Sequence, residues 1–206
     1  MKKLFATLLV ASLALMGTQA FAQMSVNAGY LNVSEKINST SSNYNGFYAG
    51  VTYNIPIVAG LCIAPGVYYS FSGGKDEGTS LLGLINSSST RTDHAINGAV
   101  NLNYGFQVAR DMRAFVFAGP TLQYGISSKS KTKVDTAIGN SEGTTDWYKN
   151  DNISRINVFI GGGIGMEVAN FQVTVGYDYG LLNLWKGSGD TKINRSGIKI
   201  GVGFLF

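Results

Sequence analysis

Few residues in this sequence carry obvious chemistry. It holds one histidine, His94, and one cysteine, Cys62. A thiol beside an imidazole makes an activated nucleophile, and both residue types ligate metals. Ser87, Ser88 and Ser89 lie in the loop adjacent to the histidine, and nothing in the sequence fixes their geometry toward it. One His and one Cys cannot fill a zinc site, so neither a metal nor a cofactor is expected. The remaining chemistry is ionic. Arg155, Glu167, Asp178 and Lys199 stand at matching parity in strand-like runs, while Lys129, Lys131 and Lys133 recur every second residue.

Those spacings have meaning only if the elements holding them are strands, and the chain alternates with a period of two. Phe47, Ala49, Val51, Tyr53 and Ile55 alternate with Tyr48, Gly50, Thr52 and Asn54. Ile63, Val67, Tyr69 and Phe71 oppose Cys62, Ala64, Gly66, Tyr68 and Ser70, and Phe171 to Gly180 repeats the pattern. With further runs near 24–33, 96–104, 113–126, 154–168 and 195–206, eight strands are predicted. Parity then puts Cys62 and His94 on opposite faces, where no thiol–imidazole pair can form. Gly119-Pro120 reads as a bulge, because a proline inside a closed sheet removes a ladder donor.

The two faces differ in kind. One is bulky and apolar; the other is Gly, Ala, Ser, Asn and Thr. Lipid outside and a narrow polar bore inside produce that division, since the closed sheet pairs every backbone group. Composition agrees. Only 14% of the 206 residues are charged against about 25% in ordinary globular chains, while 27 are glycine and 45% are hydrophobic. Disorder is excluded by the apolar content. No internal run is long and apolar enough for a spanning helix.

Residues 1–22 read as a cleaved signal peptide: Lys2 and Lys3, an apolar stretch, then Ala20-Phe21-Ala22. Without the two lysines, 14 basic residues face 12 acidic ones, and the net charge of +2 argues for no nucleic acid. A lone exported thiol has no intramolecular disulfide partner. Between strands, long links (34–44, 73–92, 127–153, 183–194) alternate with short ones (56–60, 107–112, 168–170). Outer-membrane barrels have long extracellular loops and short periplasmic turns. The expected fold is therefore all-β: an eight-stranded antiparallel up-and-down transmembrane β-barrel over residues 23–206, with four extracellular loops, three periplasmic turns and periplasmic termini.

Phe117-Ala118-Gly119-Pro120, the run Tyr177-Asp178-Tyr179-Gly180-Leu181-Leu182-Asn183 and the ending Gly201-Val202-Gly203-Phe204-Leu205-Phe206 resemble the outer-membrane β-barrel domain proteins common in Bacteroidetes, of porin-family or PorT-like type. More distantly the chain is similar to OmpA/OmpX-type barrels. The resemblance implies a Gram-negative outer-membrane location and carries over no catalytic residue. It also makes Phe204 and Phe206 an assembly signal for the barrel assembly machinery. A lipid A deacylase would need a His-x-Ser pair, and here His94 is followed by Ala95 and Ile96.

Function is expected to be non-enzymatic: a monomer in contact with outer-membrane lipid and lipopolysaccharide, supporting the envelope and displaying loops. Arg155, Glu167, Asp178 and Lys199 are expected to plug the lumen, with Glu167 near the periplasmic rim, Arg155 near the outer mouth and Asp178 within reach of Lys199. Lys129, Lys131 and Lys133 are either phosphate contacts or solvated loop charge. Ser80 to Ile85 is an apolar loop stretch, and Asp135-Thr136-Ala137 resembles an O-glycosylation sequon. Trp147 and Trp185 fit an aromatic girdle or the loop bases. A small porin or solute conduit, a lipid-modifying enzyme, and a secretion or assembly factor remain alternatives.

Overall fold

A computed structural model describes residues 23–80, 85–136 and 139–206. The expected signal peptide lies outside them, as do Leu81 to Leu84 of the apolar loop stretch and Ala137 of the sequon.

Alternation of β-formers produces nine strands. They are β1 (Gln23–Ile37), β2 (Thr40–Val58), β3 (Leu61–Ser80), β4 (Ile85–Ala109), β5 (Met112–Thr136), β6 (Gly139–Asp146), β7 (Ile156–Val168), β8 (Phe171–Gly180) and β9 (Ile193–Leu205). All pairs are antiparallel. Sequence neighbours pair in turn, β5 passes to β7, and β9 returns to β1. Eight strands thus close a ring. β6 lies outside it, pairing β5 from Lys129 to Thr136, above the part of β5 that pairs β7. A closed antiparallel ring has no edge and no unpaired backbone in lipid.

Three turns at one end are two residues long. Gly60 (φ +78°) and Ala169 (φ +51°) take left-handed conformations in two of them. At the other end the expected loops are mostly strand. β1 and β2 ladder out to Ile37↔Thr40, with Asn38 at φ +52°, and β3 and β4 out to Ser80↔Ile85. Ser and Thr tolerate the pleat and no proline intervenes, so three of the four links are paired as strand for much of their described length. The fourth, between β8 and β9, is irregular and is organised by Asn183. Its Oδ1 accepts from the Trp185 and Ile193 amides, and its Nδ2 donates to the Thr191 carbonyl.

The bulge expected at Gly119-Pro120 is elsewhere. Gly119↔Gly161 and Pro120↔Ile160 run in unbroken register with β7, and Pro120 faces outward. On the other side the β4–β5 ladder skips Val100 and Asn101 without shifting, so the wall absorbs the missing donor locally. The register does shift between His94↔Ser127 and Ala95↔Gly125, leaving Ile126 as the extra residue. Parity flips there. Gly125 and Ser128 both point inward, and Lys129 points outward.

Outward positions form an apolar belt that includes Val26, Tyr30, Val67, Leu102, Ile164, Val173 and Val202. Polar residues replace it above: Asn32, Ser34 and Lys36 on β1, Ser196 and Asn194 on β9. Among the described residues the buried side chains are apolar and polar in similar number, and hydroxyls and amides are the commonest of the polar ones.

Candidate functional site: the barrel lumen

The bore is filled in three levels, each set by inward parity on neighbouring strands. At the periplasmic end Arg113 and Glu167 are direct register partners on β5 and β7. Arg113 Nη1 donates to Glu167 at 3.0 and 3.1 Å, and its Nη2 reaches the Gly60 carbonyl at 3.4 Å. A Cβ on Gly105 would overlap the guanidinium, so glycine is what lets the side chain cross the bore.

The middle level is a hydrogen-bonded lattice. Asn27 Nδ2 donates to the Ser25 and Thr52 hydroxyls, both at 3.1 Å, and the Tyr68 and Thr52 hydroxyls share a bond of 2.5 Å. Asn97 Nδ2 donates to Ser70 Oγ at 2.8 Å, and Gln123 Nε2 donates to Asn97 Oδ1 at 2.9 Å. Asp178 and Lys199 form an ion pair. They are diagonal neighbours, because Asp178 registers with Gly197 and Lys199 with Gly176. Between these groups lies a cavity of about 140 Å³. At about 10–15 Å³ of such volume per water, it has room for on the order of ten waters.

The outer level was missed by sequence reasoning and is the most buried. Glu35 on β1 is 1% exposed, and its carboxylate accepts from Arg91 Nη1 at 2.7 Å and Arg195 Nε at 2.6 Å. Asp93 accepts from the same two arginines, each at 3.3 Å. Two guanidiniums and two carboxylates make a neutral ring that links β1, β4 and β9. Ser128, fully buried, accepts a further bond from Arg91 Nε at 3.3 Å. The Arg91 guanidinium carbon lies 3.7 Å from the centre of the Trp147 ring, a cation–π contact. Trp147 belongs to a 3-10 turn, Trp147–Lys149, capped by Asp146, whose carboxylate accepts from the Tyr148 amide at 3.0 Å. From that turn Tyr148 enters the bore, where glycine at 125 leaves room for its hydroxyl. Burial pushes the Tyr148 phenol up, with Asp93 adding to the shift and Arg195 and Arg91 opposing it.

The expected plug is therefore divided. Asp178 meets Lys199, and Glu167 meets Arg113 at the rim. Arg155 is not inside. Strand β7 begins one residue later, and the Ser154 hydroxyl bridges both the amide and the carbonyl of Ile156. That local turn ends the parity, and Arg155 lies exposed over Tyr148, donating to its carbonyl at 3.2 Å. Lys129, Lys131 and Lys133 project outward from the extension of β5, and Lys133 pairs with Glu142 of β6. The amide of Phe206 donates to the Met24 carbonyl at 2.8 Å, and the Phe204 ring packs between Phe171 and Phe206.

Cys62 is buried inward at the periplasmic end, whereas His94 faces outward. The imidazole Nδ1 shares a 2.6 Å bond with the Tyr69 hydroxyl, and the ring packs against Phe71. Among the described residues no group of three His, Cys, Asp or Glu is placed to hold a metal. The signal for the outer level was present. Glu35, Asp93 and Arg195 continue the inward parity of Leu31, Asn97 and Lys199, but strands ended too early leave Glu35 and Arg91 in links and Asp93 outside the run near 96–104.

A comparison with curated proteins finds no match in sequence. Among solved structures, Neisserial surface protein A shares 15% identity at a TM-score of 0.52, over 91% of this chain and all of that one. Ail of Yersinia pestis, crystallised with the heparin analogue sucrose octasulfate, gives 15% and 0.45 over 91% and 100%. The outer membrane enzyme PagL gives 13% and 0.48 over 85% and 98%. The family described as outer membrane protein beta-barrel domain matches residues 18–186, and this chain belongs to it, a protein of the Gram-negative outer membrane.

Proposed function

We propose that the protein is a sealed, non-enzymatic outer-membrane barrel whose outer hairpins act as a contact surface. The observation that carries this is the neutral ring of Glu35, Arg91, Asp93 and Arg195, buried across the bore beneath Trp147. Each carboxylate is held by both arginines, with only Arg91 Nη2 unpaired among the described residues of the ring, and opening it strands charges in a low dielectric. The strand-paired extensions of β1–β2 and β3–β6 support the surface role. Lys129 and Lys131 stand exposed on the outward face of β5, at the height where lipopolysaccharide phosphates would lie. The non-enzymatic reading is supported by His94, held by Tyr69 with Ile96 in the position a His-x-Ser pair would need.

Planar-bilayer recording on purified barrel tests the seal. Wild type is expected to pass no steady unitary current, whereas Glu35→Ala combined with Asp93→Ala is expected to open intermittently. Steady unitary currents from the wild type would overturn the seal in favour of a porin. Lipid A mass spectra from cells with and without the protein are expected to be the same; a lost or added acyl chain would make it an enzyme.

A further inference from the structure

Above the sealed ring lies a second cavity, open to the exterior, that the barrel does not need. It is lined by Trp147 and Trp185, by Ile37, Ile153 and Ile193, and by polar groups of Thr145, Asp146, Asn150 and Thr191. Its volume is about 330 Å³, within the range of small-molecule pockets of about 300–1,000 Å³. Four outer segments meet there. Ile37 registers with Ile193 across β1 and β9, Ile153 bridges Trp185, and Lys186 N donates to the Asn152 carbonyl at 2.7 Å. The cleft is thus held by backbone pairing.

Three features define what would fit. The wall carries two indoles and three isoleucines, an apolar surface suited to the C–H face of a ring. Among its lining residues are hydroxyls, an amide and one carboxylate, and no Lys or Arg. The Trp185 indole N–H is buried with no hydrogen-bond partner among the described residues. A buried donor left unpaired calls for an acceptor. Anionic ligands are disfavoured by Asp146 and by the absence of Lys and Arg from the lining, while a purely apolar ligand would leave the indole N–H unanswered; Asp146 and Asn150 already accept from the Tyr148 and Asn152 amides, each at 3.0 Å.

We infer that this tryptophan cleft binds a neutral sugar unit, stacked on an indole and hydrogen-bonded through its hydroxyls. The sugar comes from the core of lipopolysaccharide or from a soluble oligosaccharide. The inference deepens the contact role proposed above and uses only the outward orientation of this end. A conducting barrel could still bind, and a sealed one could fail to.

The chain has two tryptophans, and both line the cleft, so indole fluorescence reports on this site and on the Arg91 contact beneath Trp147. Purified full-length mature barrel in detergent is titrated with maltotriose, cellotriose, mannotriose, delipidated lipopolysaccharide core, sucrose octasulfate and N-acetyl-leucinamide. A saturable change is expected with at least one neutral trisaccharide or with the core. Response to the core alone assigns the envelope as the source, and response to a trisaccharide assigns a soluble glycan. Trp185→Phe keeps the apolar wall and leaves Trp147 as reporter; it is expected to weaken binding about tenfold, the loss of one hydrogen bond. Lys129→Ala, on the outward face of β5, is expected to bind as wild type does. No saturable change with any of the trisaccharides or with the core overturns the inference, as does a response confined to sucrose octasulfate. Response to N-acetyl-leucinamide alone overturns it in favour of a protein partner. Should Trp185→Phe fail to give the heat-modifiable gel shift of a folded barrel, Thr191→Val is read instead, with the same weakening expected and unchanged affinity counting against the site.

Discussion

Glu35 is the residue on which the outer closure turns. It accepts from two arginines at once, and no other carboxylate in the ring is as deeply buried. Removing it strands two guanidiniums. Glu35→Ala is expected to lower stability by about 3–5 kcal/mol, as breaking buried pairs does, read as an earlier midpoint in urea unfolding followed by the gel shift of unboiled sample. Asp178→Ala behaves differently. Its partner Lys199 borders the central cavity, and the closures above and below it do not depend on the pair. Bilayer recordings of Asp178→Ala are expected to stay silent; an opening would move the closure from Glu35 to the middle of the bore. Parity alone brought Asp178 to Lys199. It could not find Glu35, because Ser34 and Lys36 around it read as loop, and hydrophobic contrast vanishes where strands leave the lipid.

At the scale of the element, Ile126 decides the course of β5. Its extra position lets Gly125 admit the Tyr148 ring and Ser128 meet Arg91, both inward although three residues apart. Deleting Ile126 regularises the ladder with His94↔Ser127 kept and Ser128 still inward, so a folded, heat-modifiable barrel is expected. Deleting Leu122 turns Gln123 toward lipid and Tyr124 and Ile126 inward, and a one-residue slip of that kind is expected to prevent assembly. Equal gel behaviour of the two deletions would show that the bulge is not where β5 changes face. Most strands were legible from alternation. Pro120 drew the bulge to the wrong place because a missing N–H looks the same in sequence whether the ladder shifts or merely skips a pair. Nothing in Tyr124, Gly125 and Ile126 marks the true site except the phase of the residues beyond it.

The whole molecule has an inside and an outside end, and both can be addressed chemically. In a Cys62→Ser background, a cysteine at Thr144 on the exposed β6 is expected to react with an impermeant maleimide on intact cells. A cysteine at Asp111, in a two-residue turn, is expected to react only after lysis. The reverse pattern would invert the barrel in the membrane. This polarity was readable from the alternation of long and short links. Their continuation as paired strand was not, because polar strands carry no apolar face to give them away.

The seam between β1 and β9 carries a consequence for how the molecule is made. Ser25 pairs with Leu205 and Ile37 with Ile193, so the first strand to emerge from the ribosome waits for the last. Until β9 arrives, β1 presents an unpaired edge beside half-formed apolar surface, the condition under which strands pair with wrong partners. Closure is thus a contact of nearly maximal sequence separation, which makes it slow. The chain must therefore be kept apart from its own copies between export and insertion, and a synthesis halted before Ile193 would leave a sheet with two open sides rather than a smaller barrel.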